Sequence, residues 1–418
     1  MRKAGKRDDS RKARAGHAGL ALPSLLVAVI VACAGAALAQ GGAFAPEDAG
    51  PAGPADGAMT KEEREALAAE LEAAQGLPPA ILFAVRGDGD FQNFGRSAIS
   101  GARLAHKAYG GGFELIEESE GGGPLPGRVA NFARVRAAAG HLFEGSLEEN
   151  APYYRRYGIP VLLPYLDNWE TGLLGGGFYQ LMPNVPAQAR LLADRTLRPP
   201  TTKLARIVIL ETPAAPFELF ADTYVATLKD PQALSTGRTK RRALPSKVKI
   251  LRYVMRDMRE LPMIIESSKL TPQDYVVLAL SGRQAVQAAP FFVESNFQKA
   301  IFLGGTALAT RDTCLAYLAA NLNLELVLPL DLRNTKIQAL SEFVHRYRIE
   351  NKQEPAWPSV LAYDAVALAI KASSVPQASM YLDGAEAPEG LAGSYAFSEG
   401  KVPGEVVRVN RDSTVYYP

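Results

Sequence analysis

The chain has 418 residues, 47% hydrophobic and 22% charged, enough for two or three domain-sized units of ordinary globular composition. Its formal charge of +2 sits in the N-terminus: without residues 1–39 the balance is 39 Lys/Arg to 42 Asp/Glu, a net −3, which argues against nucleic acid as a partner. Two cysteines, Cys33 and Cys314, leave no internal disulfide framework, and Cys314 in the apolar stretch "DTCLAYLAANL" reads as a buried structural thiol.

Basic Met1–His17, apolar Gly19–Leu38 and the small-residue ending Ala37-Leu38-Ala39 together form a secretory signal over 1–39, with cleavage before Gln40. Two alternatives stay open. Ile30-Val31-Ala32-Cys33 resembles a relaxed lipobox that would lipid-anchor the protein at Cys33, although the apolar run continues past it. The same run, about 20 residues, can also span a bilayer as an uncleaved membrane anchor. Each reading places the rest of the chain on the periplasmic or extracytoplasmic side.

Residues 40–78 form a flexible linker with a short helix. Residues 40–58 are Ala, Gly and Pro with a few acids, too little apolar surface to fold. Thr60-Lys-Glu-Glu63 is a capping box, and Leu67, Leu71 and Ala74 follow at helical spacing before Gly76 and Pro78-Pro79.

From Ala80 onward strands and helices alternate. Strands are expected at Ala80–Val85, Phe113–Glu118, Val135–Ala139, Pro160–Leu163, Arg206–Leu210, Lys247–Val254, Asp274–Leu280 and Lys299–Leu303. Helices are expected at Ser97–Tyr109, Ser146–Tyr157, Ala187–Leu197, Phe217–Lys229 and Gln284–Asn296. Short apolar strands separated by amphipathic helices indicate parallel sheets covered on both faces. "RTLRPPTTK" at 195–203 breaks the series as a joint between two α/β lobes. Lys240, Arg241 and Arg242 form a basic cluster read as a solvated loop, with a docking surface as the alternative.

The search for chemistry returns little. In "GDGDFQNFG" (87–95) the third glycine of a dinucleotide loop is replaced by Gln92, no Gly-Lys-Ser/Thr follows, and Asp88 and Asp90 would repel a phosphate. Of the four histidines, His17 leaves with the signal, His106 lies beside Lys107 on an exposed helix, and no pair has metal-ligand spacing. His141 follows a strand end, where it either lines a cleft or is structural. Glu117, Glu118 and Glu120 read as a solvated strand end. No catalytic residues, metal or cofactor are expected, and the chain is read as a non-enzyme. Ligands in open α/β sheets bind beyond the carboxyl ends of the strands, so the loops there mark the site.

Several stretches resemble the type I periplasmic solute-binding proteins of ABC transporters, in particular the branched-chain amino-acid (leucine/isoleucine/valine) binding branch. They include "GDGDFQNFGRSAISGARLA", "AAAGHLFEGSLEENAPYYRRYGIPVLLPYLDNWETG", "YQLMPNVPAQA", "DYVVLALSGRQAVQAAPFFVESNFQKAIFLGG", "LAYDAVALAIKAS" and "GLAGSYAFSEGKV". The resemblance covers roughly residues 80–410. It implies an α/β fold of two Rossmann-like lobes with parallel sheets joined by a three-strand hinge, lobe 1 being 79–198 and 326–380, lobe 2 being 199–325 and 381–418. It also implies a monomer that captures a small-molecule solute and passes it to an ABC permease in the membrane. Some relatives serve instead as sensors or regulators of an envelope partner.

The resemblance further implies ligand-binding positions. Phe94 matches the aromatic wall of the first loop. The groups that hold an amino-acid carboxylate fall at Glu144, Tyr165 and Asp167, and two of these are anions that would repel it. The acid that pairs with the α-ammonium corresponds to Thr306. Second-lobe aromatics fall near Pro216 or Phe217 and at Ser281. An amino acid-like solute that is neutral or cationic is therefore expected, or a cleft that has lost solute binding and serves a partner.

Overall fold

In the computed structural model, residues 60–166, 176–198, 206–230, 244–271, 274–295, 297, 299–334, 336–384 and 386–409 are described. The signal segment, Asp167, the basic cluster at 240–242 and residues 410–418 lie outside them.

The first sheet is parallel throughout, in the order β2-β1-β3-β4-β5, with β1 Ala80–Ala84, β2 Glu114–Glu118, β3 Val135–Gly140, β4 Val161–Leu163 and β5 Phe178–Gln180. Every residue of β1 is buried, as expected for a strand covered on both faces. The second sheet runs β11-β10-β9-β8-β6-β7: β6 Arg206–Glu211, β7 Lys249–Val254, β8 Tyr275–Ala279, β9 Ile301–Gly304, β10 Asn323–Leu328 and β11 Glu405–Arg408. Only β11 is antiparallel, on β10.

Alternation along the second sheet divides its core in two. Ile207, Ile209, Val277, Leu303 and Val327 face one cluster, and Val208, Leu210, Val276, Leu278, Phe302 and Leu326 face another. The two-lobed architecture expected from the sequence is present. Three strands were not anticipated: β5, a three-residue strand directly after Gly176-Gly177; β10, directly behind the apolar helix around Cys314; and the four-residue β11.

The helices are α1 Lys61–Ala73, α2 Gln92–Tyr109, α3 Glu144–Tyr157, α4 Val185–Leu197, α5 Ala215–Lys229, α6 Leu261–Ser268, α7 Gly282–Glu294, α8 Arg311–Ala319, α9 Gln338–Asn351, α10 Trp357–Ser373 and α11 Ala378–Leu382. α1 buries none of its residues and is tied to the first lobe by the Tyr157 hydroxyl, which donates to Glu70. α10 is buried along most of its length and packs on α2, where Gly101 is needed: a Cβ there would lie 1.9 Å from the Ser359 carbonyl oxygen.

The lobe boundaries differ from those expected. α4, placed in lobe 1 by the sequence, packs on α5, β10 and β11, because Val185, Ala189, Leu192 and Ala193 face Phe220, Tyr224 and the second sheet. Leu326–Leu328 lie in β10 of the second sheet. Leu391, Ala392 and Tyr395 belong to the first lobe, where Asp364 of α10 accepts from Leu391 N at 2.6 Å, Ala392 N at 2.9 Å and Tyr395 Oη at 2.7 Å. The chain thus crosses between lobes after β5, after β10 and before β11.

Candidate functional site

The helix after β1 starts at Gln92, five residues earlier than expected, so the glycine stretch is a short bend rather than a long loop. Gly89 supplies a left-handed φ of +52°, and a single helical turn, Gly89–Phe91, leads into α2. Gly95 lies inside the helix against the Arg86 carbonyl, where a Cβ would come within 2.4 Å. At this strand end Arg86 pairs with Asp88, and its guanidinium lies 5.8 Å from the Phe91 ring centroid and 5.7 Å from that of Phe143. Phe91 and Phe143 meet edge to face at 4.9 Å.

Phe94 is half-buried and packs edge to face on Tyr165 at 4.9 Å and on Trp357 at 5.7 Å. Tyr165 is buried, its hydroxyl donates to the Pro358 carbonyl at 3.0 Å, and burial raises its pKa well above the usual phenol value. Its hydroxyl therefore anchors α10. Glu144 is exposed in the first turn of α3. Asp167 lies outside the described residues.

His141 is wholly buried. Its Nδ1 lies 3.0 Å from Glu120 Oε1 and its Nε2 lies 2.8 Å from the Tyr154 hydroxyl. Leu142 N donates to both Glu120 oxygens, at 3.1 and 2.9 Å. Burial raises the Tyr154 hydroxyl pKa, so it stays a donor, consistent with Nδ1–H facing the carboxylate. The reading of Glu120 as part of a solvated strand end is corrected: its carboxylate is buried and fastens the loop after β2 to the loop after β3. Glu117 instead takes a two-point pair from Arg103, at 2.7 Å for each bond. His141 holds a left-handed φ of +63°, which these bonds sustain. Cys314 is buried, and burial pushes its thiol up to about 12.

In the second lobe, a cavity of about 240 Å³ opens at the carboxyl ends of the strands, lined by Val185, Gln188, Pro216, Phe217, Phe220, Leu278, Ala279, Leu280, Gly305 and Ala307. Phe217, expected to face a ligand, is part of this wall. Ser281 is instead the N-cap of α7 in a capping box with Gln284, whose Oε1 accepts from Ser281 N at 3.0 Å and from the Thr212 hydroxyl at 2.9 Å. Gln284 thereby joins the loops after β6 and β8. Thr306 is buried, and its N and Oγ1 donate to Gln188 Oε1 at 2.9 and 3.1 Å. Gln188 Nε2 donates to the Pro183 carbonyl at 2.8 Å, linking the first crossing to the cavity. Gly305 is needed beside it, because a Cβ would lie 2.5 Å from Gln188 Oε1 and 3.2 Å from Phe220.

Sequence reasoning missed Gln188, Phe220 and Leu280. The Ser281–Gln284 box was a readable signal for the loop they line, whereas Gln188 depends on α4 changing lobes. Among the described residues no cluster of His, Cys, Asp and Glu suits a metal ion, and no helix is long and apolar enough to cross a membrane.

No protein-family model and no curated sequence matches this chain. Solved structures do. The substrate-binding protein LivJ of the branched-chain amino acid transporter from Streptococcus pneumoniae, in complex with isoleucine, is similar at a TM-score of 0.59 and 14% identity, over 79% of this chain and 99% of its own. The leucine-binding protein LivK from Thermotoga maritima is similar at 0.57 and 15% identity, over 80% and 99%. A solute-binding protein of an ABC transporter from Rhodopseudomonas palustris, in complex with 3,4-dihydroxybenzoic acid, is similar at 0.53 and 14% identity, over 75% and 87%. At these identities the likeness establishes the fold.

Proposed function

We propose that this chain, which has the type I periplasmic binding protein fold, captures a small molecule at the carboxyl ends of its strands outside the cytoplasm and delivers it to an ABC transporter permease. One observation carries the reading: a preformed cavity of about 240 Å³ at the strand ends of the second lobe, next to a crossing about which the lobes can close. The solutes named for the similar structures, isoleucine and dihydroxybenzoic acid, fit the same role at the level of small molecules. The protein acts as a monomer and is no enzyme on this reading. Glu144 and Asp167 remain proposed ligand contacts.

The test is a thermal-shift screen across amino acids, aromatic acids, sugars and neutral metabolites. A bound solute at about 100 times its Kd stabilises the fold by about 2.7 kcal/mol. No stabilisation by any compound class would overturn solute capture. Mass spectrometry of the secreted protein separates a Gln40 start from a lipidated Cys33 and an intact Met1.

A second reading, a sensor or regulator of an envelope partner, draws support from the Tyr165 and Ser281 hydroxyls, which are used within the fold. It predicts a protein ligand captured from envelope extracts and no gain in Tm from any solute.

A further inference from the structure

Resting on the solute-binding reading, we infer that the second-lobe cavity takes an uncharged apolar or aromatic group, about one substituted ring in size, and not a free amino acid, a carboxylate or a quaternary amine.

The lining carries the inference. None of its ten residues is ionisable, and eight carry apolar side chains, among them Phe217, Phe220, Leu278 and Leu280. The one polar side chain, Gln188, spends its amide on Thr306 and Pro183, bonds that shape the wall. A carboxylate or ammonium placed here would leave water without a counter-charge, and nothing in the lining offsets that cost. Two charged groups at strand ends are already engaged. Glu211 at the end of β6 is buried under Arg252, with contacts of 2.7 and 3.0 Å. In the first lobe, Arg86 is neutralised by Asp88 between two phenyl rings.

Volume and shape agree with this chemistry. An apolar cavity of about 150 Å³ accepts benzene. About 240 Å³ therefore leaves room for a ring with short substituents, or a branched aliphatic chain of similar bulk. Phe217 and Phe220 provide two aromatic rings, but none of the ten lining residues is a carboxylate that could complete a cage for a cation.

The experiment uses the full mature chain and matched pairs of compounds, read by titration calorimetry and thermal shift. The pairs are benzamide with benzoate, isocaproamide with leucine, and the neutral tert-butyl analogue of choline with choline. The neutral member of each pair is expected to bind at least about tenfold more tightly. Phe217→Ala should weaken it by about tenfold through lost burial. Ala307→Trp, at the exposed mouth, should block it, and serves if the first variant folds poorly.

Charged members binding as tightly as their neutral partners would overturn the inference while leaving solute capture standing. Neutral binding that ignores both variants would also overturn it, by placing the site elsewhere. Silence from every pair, together with silence in the wider metabolite screen, would remove both readings.

Discussion

Asp364 illustrates how one buried residue ties stability to pH. Burial is the largest influence on its carboxyl and pushes it up to about 6 from 3.8, against hydrogen bonds from Ala392 N, Leu391 N and the Tyr395 hydroxyl. An acid with a raised folded-state pKa favours the fold most below its unfolded value, and that contribution is lost as pH rises through the folded one. Stability should therefore fall by up to about 3 kcal/mol between pH 4 and pH 6, and level off above. Denaturant titrations across that window would measure the slope, and Asp364→Ala should flatten it while lowering stability at every pH. A second test concerns Glu120. Removing its carboxylate by Glu120→Ala strands Leu142 N and leaves His141 Nδ1 only the longer contact with the Ser146 hydroxyl, an expected loss of about 3 kcal/mol in urea unfolding.

At the scale of elements, the contact of α2 with α10 depends on the absence of a side chain at Gly101. Gly101→Ala gains about 1 kcal/mol of helix propensity. It also drives a methyl to 1.9 Å from the Ser359 carbonyl, and overpacking of that severity costs about 3 kcal/mol. A net loss is expected, visible as a lower denaturation midpoint. Much at this scale was legible from the chain alone. β1, β3, β6 and β8 are short apolar runs whose burial on both faces makes them readable without their partners. β11 was not, because Glu405–Arg408 is a strand only through its pairing with β10, far away in sequence. The site divides the same way. Phe217 is reached through the resemblance, which places a second-lobe aromatic near Pro216 or Phe217. The resemblance places Tyr165 and Ser281 at the site; a sequence carries no sign of the distant Pro358 carbonyl that takes the Tyr165 hydroxyl, whereas Gln284, three residues from Ser281, is a local signal for the bond its hydroxyl makes.

For the whole molecule, three crossings and a core that runs through residues of both sheets favour cooperative behaviour. Calorimetry should give one unfolding transition, with calorimetric and van't Hoff enthalpies in agreement. Two separated transitions would mean that the lobes melt independently. The position of α10 has a consequence for how the protein is made. Its residues are the last helix needed to cover β1 and β3, yet they lie more than 200 positions after both strands in the chain. A nascent chain ending before Trp357 has a first sheet with one bare apolar face, and at typical rates of synthesis it stays so for many seconds. A fragment truncated at 350 should bind a hydrophobic dye and yield to protease throughout the first lobe. Late closure of that face keeps the growing polypeptide unfolded until α10 has been made, the state that the proposed export of this chain would require.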